Sequence, residues 1–95
     1  MVSGVDEVFR ALADPTRRSV LDALFIEDGQ TLSQLSARFD MSRYGVMKHL
    51  GVLEEAGLLV GEKEGRNRFY KVNHERLEIV RSWLGWFFEH DPKKT

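Results

Sequence analysis

At 95 residues, with 42% hydrophobic and 11% aromatic content, the chain has the composition of one small folded domain, which excludes disorder and low complexity. It contains no cysteine, which removes disulfides, thiolate metal ligands and thiol redox chemistry, and its formal net charge of -1 is not that of a generally basic nucleic-acid binder. The longest apolar cluster, residues 83–88, is too short to span a bilayer and the N-terminus has no leader-like pattern, so a cytoplasmic protein without a membrane partner is expected.

Val5, Val8, Phe9 and Leu12 recur at helical spacing and predict a first helix that stops at Asp14-Pro15. Asp14 suits the N-cap of a second helix, with Pro15 at the first position, where its missing N–H costs nothing. Val20, Leu21, Leu24 and Phe25 predict the inward stripe of that helix, and Gly29 its stop. Arg17 and Arg18 stand at its start, where the helix dipole disfavours cations; a phosphate contact or an ion pair with Asp14, Asp6 or Glu7 is the expected compensation.

Thr31 and Gln34 have capping-box spacing and open a short third helix with Leu32, Leu35 and Phe39 inward, ending near Asp40. Ser42 then caps a fourth helix whose Val46, Leu50 and Leu53 face the core, with Gly57 as its stop. Two short helices joined by a tight turn, over about residues 31–57, predict a helix-turn-helix. Residues 58–72 read as strand, turn and strand, with the tip at Glu64-Gly65-Arg66-Asn67 and with Tyr70 and Val72 on the packed face. Asn73 is placed to cap a last helix over about residues 74–90. Leu77, Val80, Leu84, Phe87 and Phe88 fall on one of its stripes, and Ile79, Trp83, Trp86 and His90 on the next. That apolar arc is too wide for one small core, and a second subunit is the expected cover.

Positive charge is segregated. Residues 41–53 contain Arg43 and Lys48 and no acid, and residues 65–73 contain Arg66, Arg68 and Lys71 and no acid. A fourth helix pinned by Val46, Leu50 and Leu53 must present Arg43, Tyr44, Met47 and Lys48 outward on its N-terminal half, the half that enters a major groove in helix-turn-helix proteins. A solvated helix face alone explains one Arg and one Lys a turn apart. The second basic segment, in a hairpin placed to run beside that helix, favours DNA.

Residues 9–24 (FRALADPTRRSVLDAL), the helix-turn-helix ending in KHLGVLEEAGLL, and the hairpin GRNRFYKVN together resemble the ArsR/SmtB family of bacterial winged-helix repressors. The resemblance spans nearly the whole chain. It implies a mainly α fold with a small β-hairpin, one winged helix-turn-helix domain over residues 1–95 that dimerises through its terminal helices. It also implies binding to a double-stranded, pseudo-palindromic operator and release by an inducer. Ser42, Arg43, Tyr44, Met47 and Lys48 match the DNA-reading positions, and Arg66, Asn67 and Arg68 the wing. His49 matches a position that packs within the motif. Val5, Phe9, Ile79, Trp83, Trp86 and His90 are the expected dimer contacts, and Arg17 and Arg18 take a largely structural role.

Many members of that family sense metals through cysteines or through Asp, His and Glu clusters on the last helix. This chain has no thiolate, and Glu89, His90 and Asp91, being adjacent, point in different directions, so no metal or other cofactor is expected. The tryptophans read as an interface seal rather than a ligand pocket. No nucleophile arrangement or phosphate-binding glycine loop suggests an enzyme. The alternatives left by the sequence are a winged helix used for protein–protein contact and a repressor gated by a small molecule or partner; the inducer is not legible.

Overall fold

The computed structural model describes residues 4–93. In chain order it runs α1 (Val5–Leu12), α2 (Pro15–Ile26), β1 (Gln30–Thr31), α3 (Leu32–Arg38), α4 (Arg43–Glu55), β2 (Leu59–Glu64), β3 (Asn67–Val72) and α5 (His74–Glu89). The strands form one antiparallel sheet in the order β1-β3-β2, packed against the helices through Tyr70 and Val72. Leu24, Leu35, Leu50, Leu53 and Leu58 lie fully buried at the centre, each contributing about 1.5–3 kcal/mol by leaving water. The fold is a winged helix-turn-helix, as expected.

Local chemistry sets the boundaries. Asp14 accepts the Arg17 N–H at 3.0 Å and starts α2. Thr31 and Gln34 close a reciprocal capping box on α3, and Ser42 Oγ accepts the Gly45 N–H at 3.0 Å to start α4. α4 ends in a Schellman turn: the Leu58 N–H reaches Leu53 O and the Gly57 N–H reaches Glu54 O, both at 2.9 Å, with Gly57 at φ +80. The β2–β3 tip turns on Gly65 at φ +64 followed by Arg66, the pattern of a type II′ hairpin.

Four expectations are corrected. Phe25 is 73% exposed and meets the His74 ring edge-on at 6.2 Å. The buried arc of α2 runs through Ala23, Leu24, Val20 and Leu21, and Phe25 lies roughly 120° from its middle. Gly29 does not end α2, which already stops at Ile26; Gly29, at φ +72, instead turns the chain into β1. Asn73 occupies the N-cap of α5, but its side chain donates to Gly57 O at 2.9 Å instead of capping. Arg17 and Arg18 take backbone carbonyls, and not an acid, as their main partners within the chain. Arg17 donates to Ala11 O at 2.7 Å and Arg10 O at 3.2 Å, and Arg18 to Leu12 O at 2.8 Å. They serve carbonyls of the last turn of α1, where the dipole favours cations.

Strand β1 was not foreseen. Its two residues pair with β3, and buried Gln30 donates to Ala23 O at 3.1 Å and Glu27 O at 2.8 Å, satisfying the end of α2.

The last helix departs from the rest. Leu77, Ile79 and Val80 in its first two turns pack on the core, whereas Trp83, Leu84, Trp86, Phe87 and Phe88 are exposed. The division therefore follows position along the helix and not two parallel stripes. α5 runs past the core it packs on, and the radius of gyration is 15.3 Å, against about 12 Å for a compact domain of this length.

Candidate nucleic-acid interface

Val46, Leu50 and Leu53 anchor α4 from behind and leave Ser42, Arg43, Tyr44, Met47 and Lys48 exposed on its N-terminal half. Tyr44 is 65% exposed and lies under Lys48, whose Nζ sits 5.6 Å from the ring centroid. This contact limits the freedom of a long side chain that ends in a charge. Arg43 donates to Ser33 Oγ at 2.6 Å, so its guanidinium bridges α4 to the exposed side of α3. Ser42 is committed through its oxygen as the cap, which leaves its O–H to donate elsewhere. The sequence had no signal for Ser33, ten residues away on another helix.

His49 is partly buried, with Nδ1 3.9 Å from Asp14 Oδ2 at the N-cap of α2, so its contact is with a residue outside the helix-turn-helix. The Arg17 N–H bond lowers the Asp14 pKa against some opposition from burial, and the charges of Arg17 and His49 lower it further.

On the wing, Arg66, Asn67 and Arg68 are all exposed, and they differ in what holds them. Arg66 sits at the turn, and Asn67 pairs across from Glu64. Arg68 is ion-paired with Glu54 of α4 at 3.0 Å and lies 5.9 Å from the Tyr70 ring centroid; its hydrogen bond to Glu54 raises its pKa. Lys71 pairs with Glu62 at 3.0 Å, which raises its pKa likewise. The acid-free run on β3 is thus answered by acids from α4 and β2. Glu54, on the C-terminal half of α4, is part of the wing junction.

The aromatic surface continues from α5 to α1. Phe9 and Trp83 meet edge-to-face at 5.2 Å, Trp83 and Phe87 at 4.9 Å, and Trp86 stacks on His90 at 4.8 Å. Val5, Trp83 and Trp86 are exposed while Ile79 is partly turned into its own core, and Phe87 joins the ladder without having been assigned to it. Among the described residues no three His, Asp or Glu side chains gather around a common point. His90 Nδ1 lies 2.9 Å from Trp86 O, and Asp91 accepts the Lys93 N–H at 2.9 Å. No helix of the described residues is long and apolar enough to cross a membrane.

Residues 12–62 match the family model described as a helix-turn-helix domain. The chain is 38% identical over 86 residues to the HTH-type transcriptional regulator YuzN of Bacillus subtilis (strain 168), covering 83% of this chain and 94% of that protein. It is 30% identical over 80 residues to the transcriptional repressor SdpR of the same organism, covering 84% and 88%. The crystal structure of an ArsR family transcriptional regulator superposes with a TM-score of 0.83 at 37% identity, over 96% of this chain and 93% of that one. With its helix-turn-helix, its wing and these relatives, the chain belongs to the ArsR family of DNA-binding transcriptional regulators.

Proposed function

We propose that the protein is a homodimeric repressor that reads a pseudo-palindromic operator in the cytoplasm without a metal sensor site. The observation that carries this reading is the exposed, acid-free N-terminal half of α4, where Arg43, Tyr44, Met47 and Lys48 stand together in front of a fully buried anchor. Placed in a major groove, Arg43 and Tyr44 reach base edges, while Ser42 and Lys48 contact phosphate near the helix N-terminus. Arg66 and Asn67 at the wing tip reach the neighbouring backbone or minor groove.

Dimerisation gives the reading its symmetry. The face formed by exposed Val5, Trp83, Trp86 and His90 with partly buried Phe9, extended by Phe87, is large and aromatic, as interface cores are. A two-fold axis through it presents two α4 helices to half-sites about 34 Å apart, or a multiple of that.

The test is a pair of substitutions. Arg66→Ala is expected to weaken every sequence alike and to lower the salt slope by about 1. Arg43→Ala is expected to relax base preference, losing about 1–3 kcal/mol of discrimination at one position of each half-site. Unchanged affinity and preference for Arg43→Ala remove α4's N-terminal half as the reading face.

A further inference from the structure

The resemblance places Arg68 with Arg66 and Asn67 as a DNA contact of the wing; its surroundings give it a different task. Tyr70 and Val72 lie on the face of β3 turned to the helices, and the two-residue period carries Arg68 onto that same face. There its half-exposed guanidinium has two partners and a seat. Glu54 of α4 accepts from Nη2 at 3.0 Å, Tyr70 offers its ring at 5.9 Å, and Gly61 of β2 leaves the space the group fills. A Cβ at residue 61 would run into Arg68 Nε and lie 2.9 Å from its Cζ. Glycine here is explained by close approach, since its φ is not in the left-handed region.

We propose that Arg68 is a positioning residue: seated on Gly61 and bonded to Glu54, it locks the wing to the C-terminal half of α4, so that Arg66 and Asn67 meet the DNA at a fixed distance from the reading helix. The proposal rests on the DNA-binding reading given above. A guanidinium paired with a carboxylate attracts phosphate weakly, whereas one bonded to Glu54 and seated over Gly61 ties two elements together. The paired residues are 14 apart in sequence and on different elements, so the link ties β3, and not only the adjoining β2, to α4.

Gly61→Ala separates the two roles, because it displaces the guanidinium while keeping every charge. The group displaced is the end of a flexible side chain, so the fold tolerates the change. Glu54→Gln attacks the same link from the other side. The measurement is affinity for the DNA upstream of the protein's own gene and for a scrambled duplex, over a range of salt. Wild type, Gly61→Ala, Glu54→Gln, the double variant and Arg68→Ala are compared, with thermal unfolding of each. Positioning predicts that Gly61→Ala and Glu54→Gln each weaken specific binding about 3- to 10-fold, and that the double variant is no worse than either, as expected for groups acting through one contact.

Arg68→Ala should weaken binding with the salt slope unchanged. The proposal is overturned if Gly61→Ala or Glu54→Gln leaves affinity unchanged or strengthens it, as a released phosphate ligand would. It is equally overturned if Arg68→Ala lowers the slope by about 0.9, the signature of a lost phosphate contact, or if only the unfolding temperature moves. Wild type that fails to discriminate the two duplexes sinks the DNA reading itself, and this proposal with it; a selective wild type with unaffected variants sinks this proposal alone.

Discussion

Single side chains in this protein take their meaning from what already holds them. Arg66 and Arg68 are two positions apart on the same basic run, yet one stands at an open turn and the other is paired with Glu54. Asp14 illustrates the same point with a titratable group. Its carboxylate is held below its ordinary pKa of 3.8, first by the Arg17 N–H and then by the charges of Arg17 and His49. A carboxyl with a lower pKa folded than unfolded adds stability that is complete above the ordinary value and is lost as pH falls through the folded one. Asp14→Asn keeps a capping oxygen but cannot titrate in this range. Between about pH 5 and about pH 3 the urea midpoint of wild type is therefore expected to fall more steeply than that of the variant. Parallel curves would mean that the Arg17 N–H bond does not favour the charged form.

Elements are set by their ends, and those were largely legible. The caps at Asp14, Thr31 and Ser42 and the stop at Gly57 all stand where the sequence put them, because each is a contact between residues a few positions apart. Gly57→Ala should destabilise the fold by about 1–2 kcal/mol, since a Cβ is strained at φ +80 and meets Arg76 Nε at 3.0 Å. Thr31→Ala should cost about 1 kcal/mol through the lost capping box; chemical denaturation measures both. What stayed hidden was non-local. Strand β1 is two residues with no period of its own and exists only because β3 is alongside. Arg17 and Arg18 are answered by carbonyls of the preceding helix, an arrangement that needs the α1–α2 angle. Phe25 lies off the buried arc because Ala23, small and inward, sets the arc's other edge. In the candidate site the exposed face of α4 followed from its anchor pattern, whereas Arg43–Ser33 and Arg68–Glu54 cross between elements and left no trace in spacing.

For the whole molecule, α5 is the telling feature: none of its 16 residues is buried, and its distal half carries Trp83, Trp86, Phe87 and Phe88 in the open. Exposed aromatics on this scale suit the proposed dimer interface. Trp86→Ala is expected to weaken self-association by about 30-fold or more, the loss of one central aromatic anchor of about 2 kcal/mol, as read by sedimentation equilibrium. Operator binding should fall with it, because two half-sites are then no longer engaged by one particle. A variant that self-associates like wild type would place the two-fold axis elsewhere. The central claim, that one basic helix face and a wing tip on each of two subunits read DNA, is tested most directly by wild-type protein alone. Its binding to the DNA upstream of its own gene is titrated against a scrambled duplex at several salt concentrations. Selective binding that weakens steeply and linearly in log salt is the predicted result. Equal binding to both duplexes, or binding insensitive to salt, would contradict it.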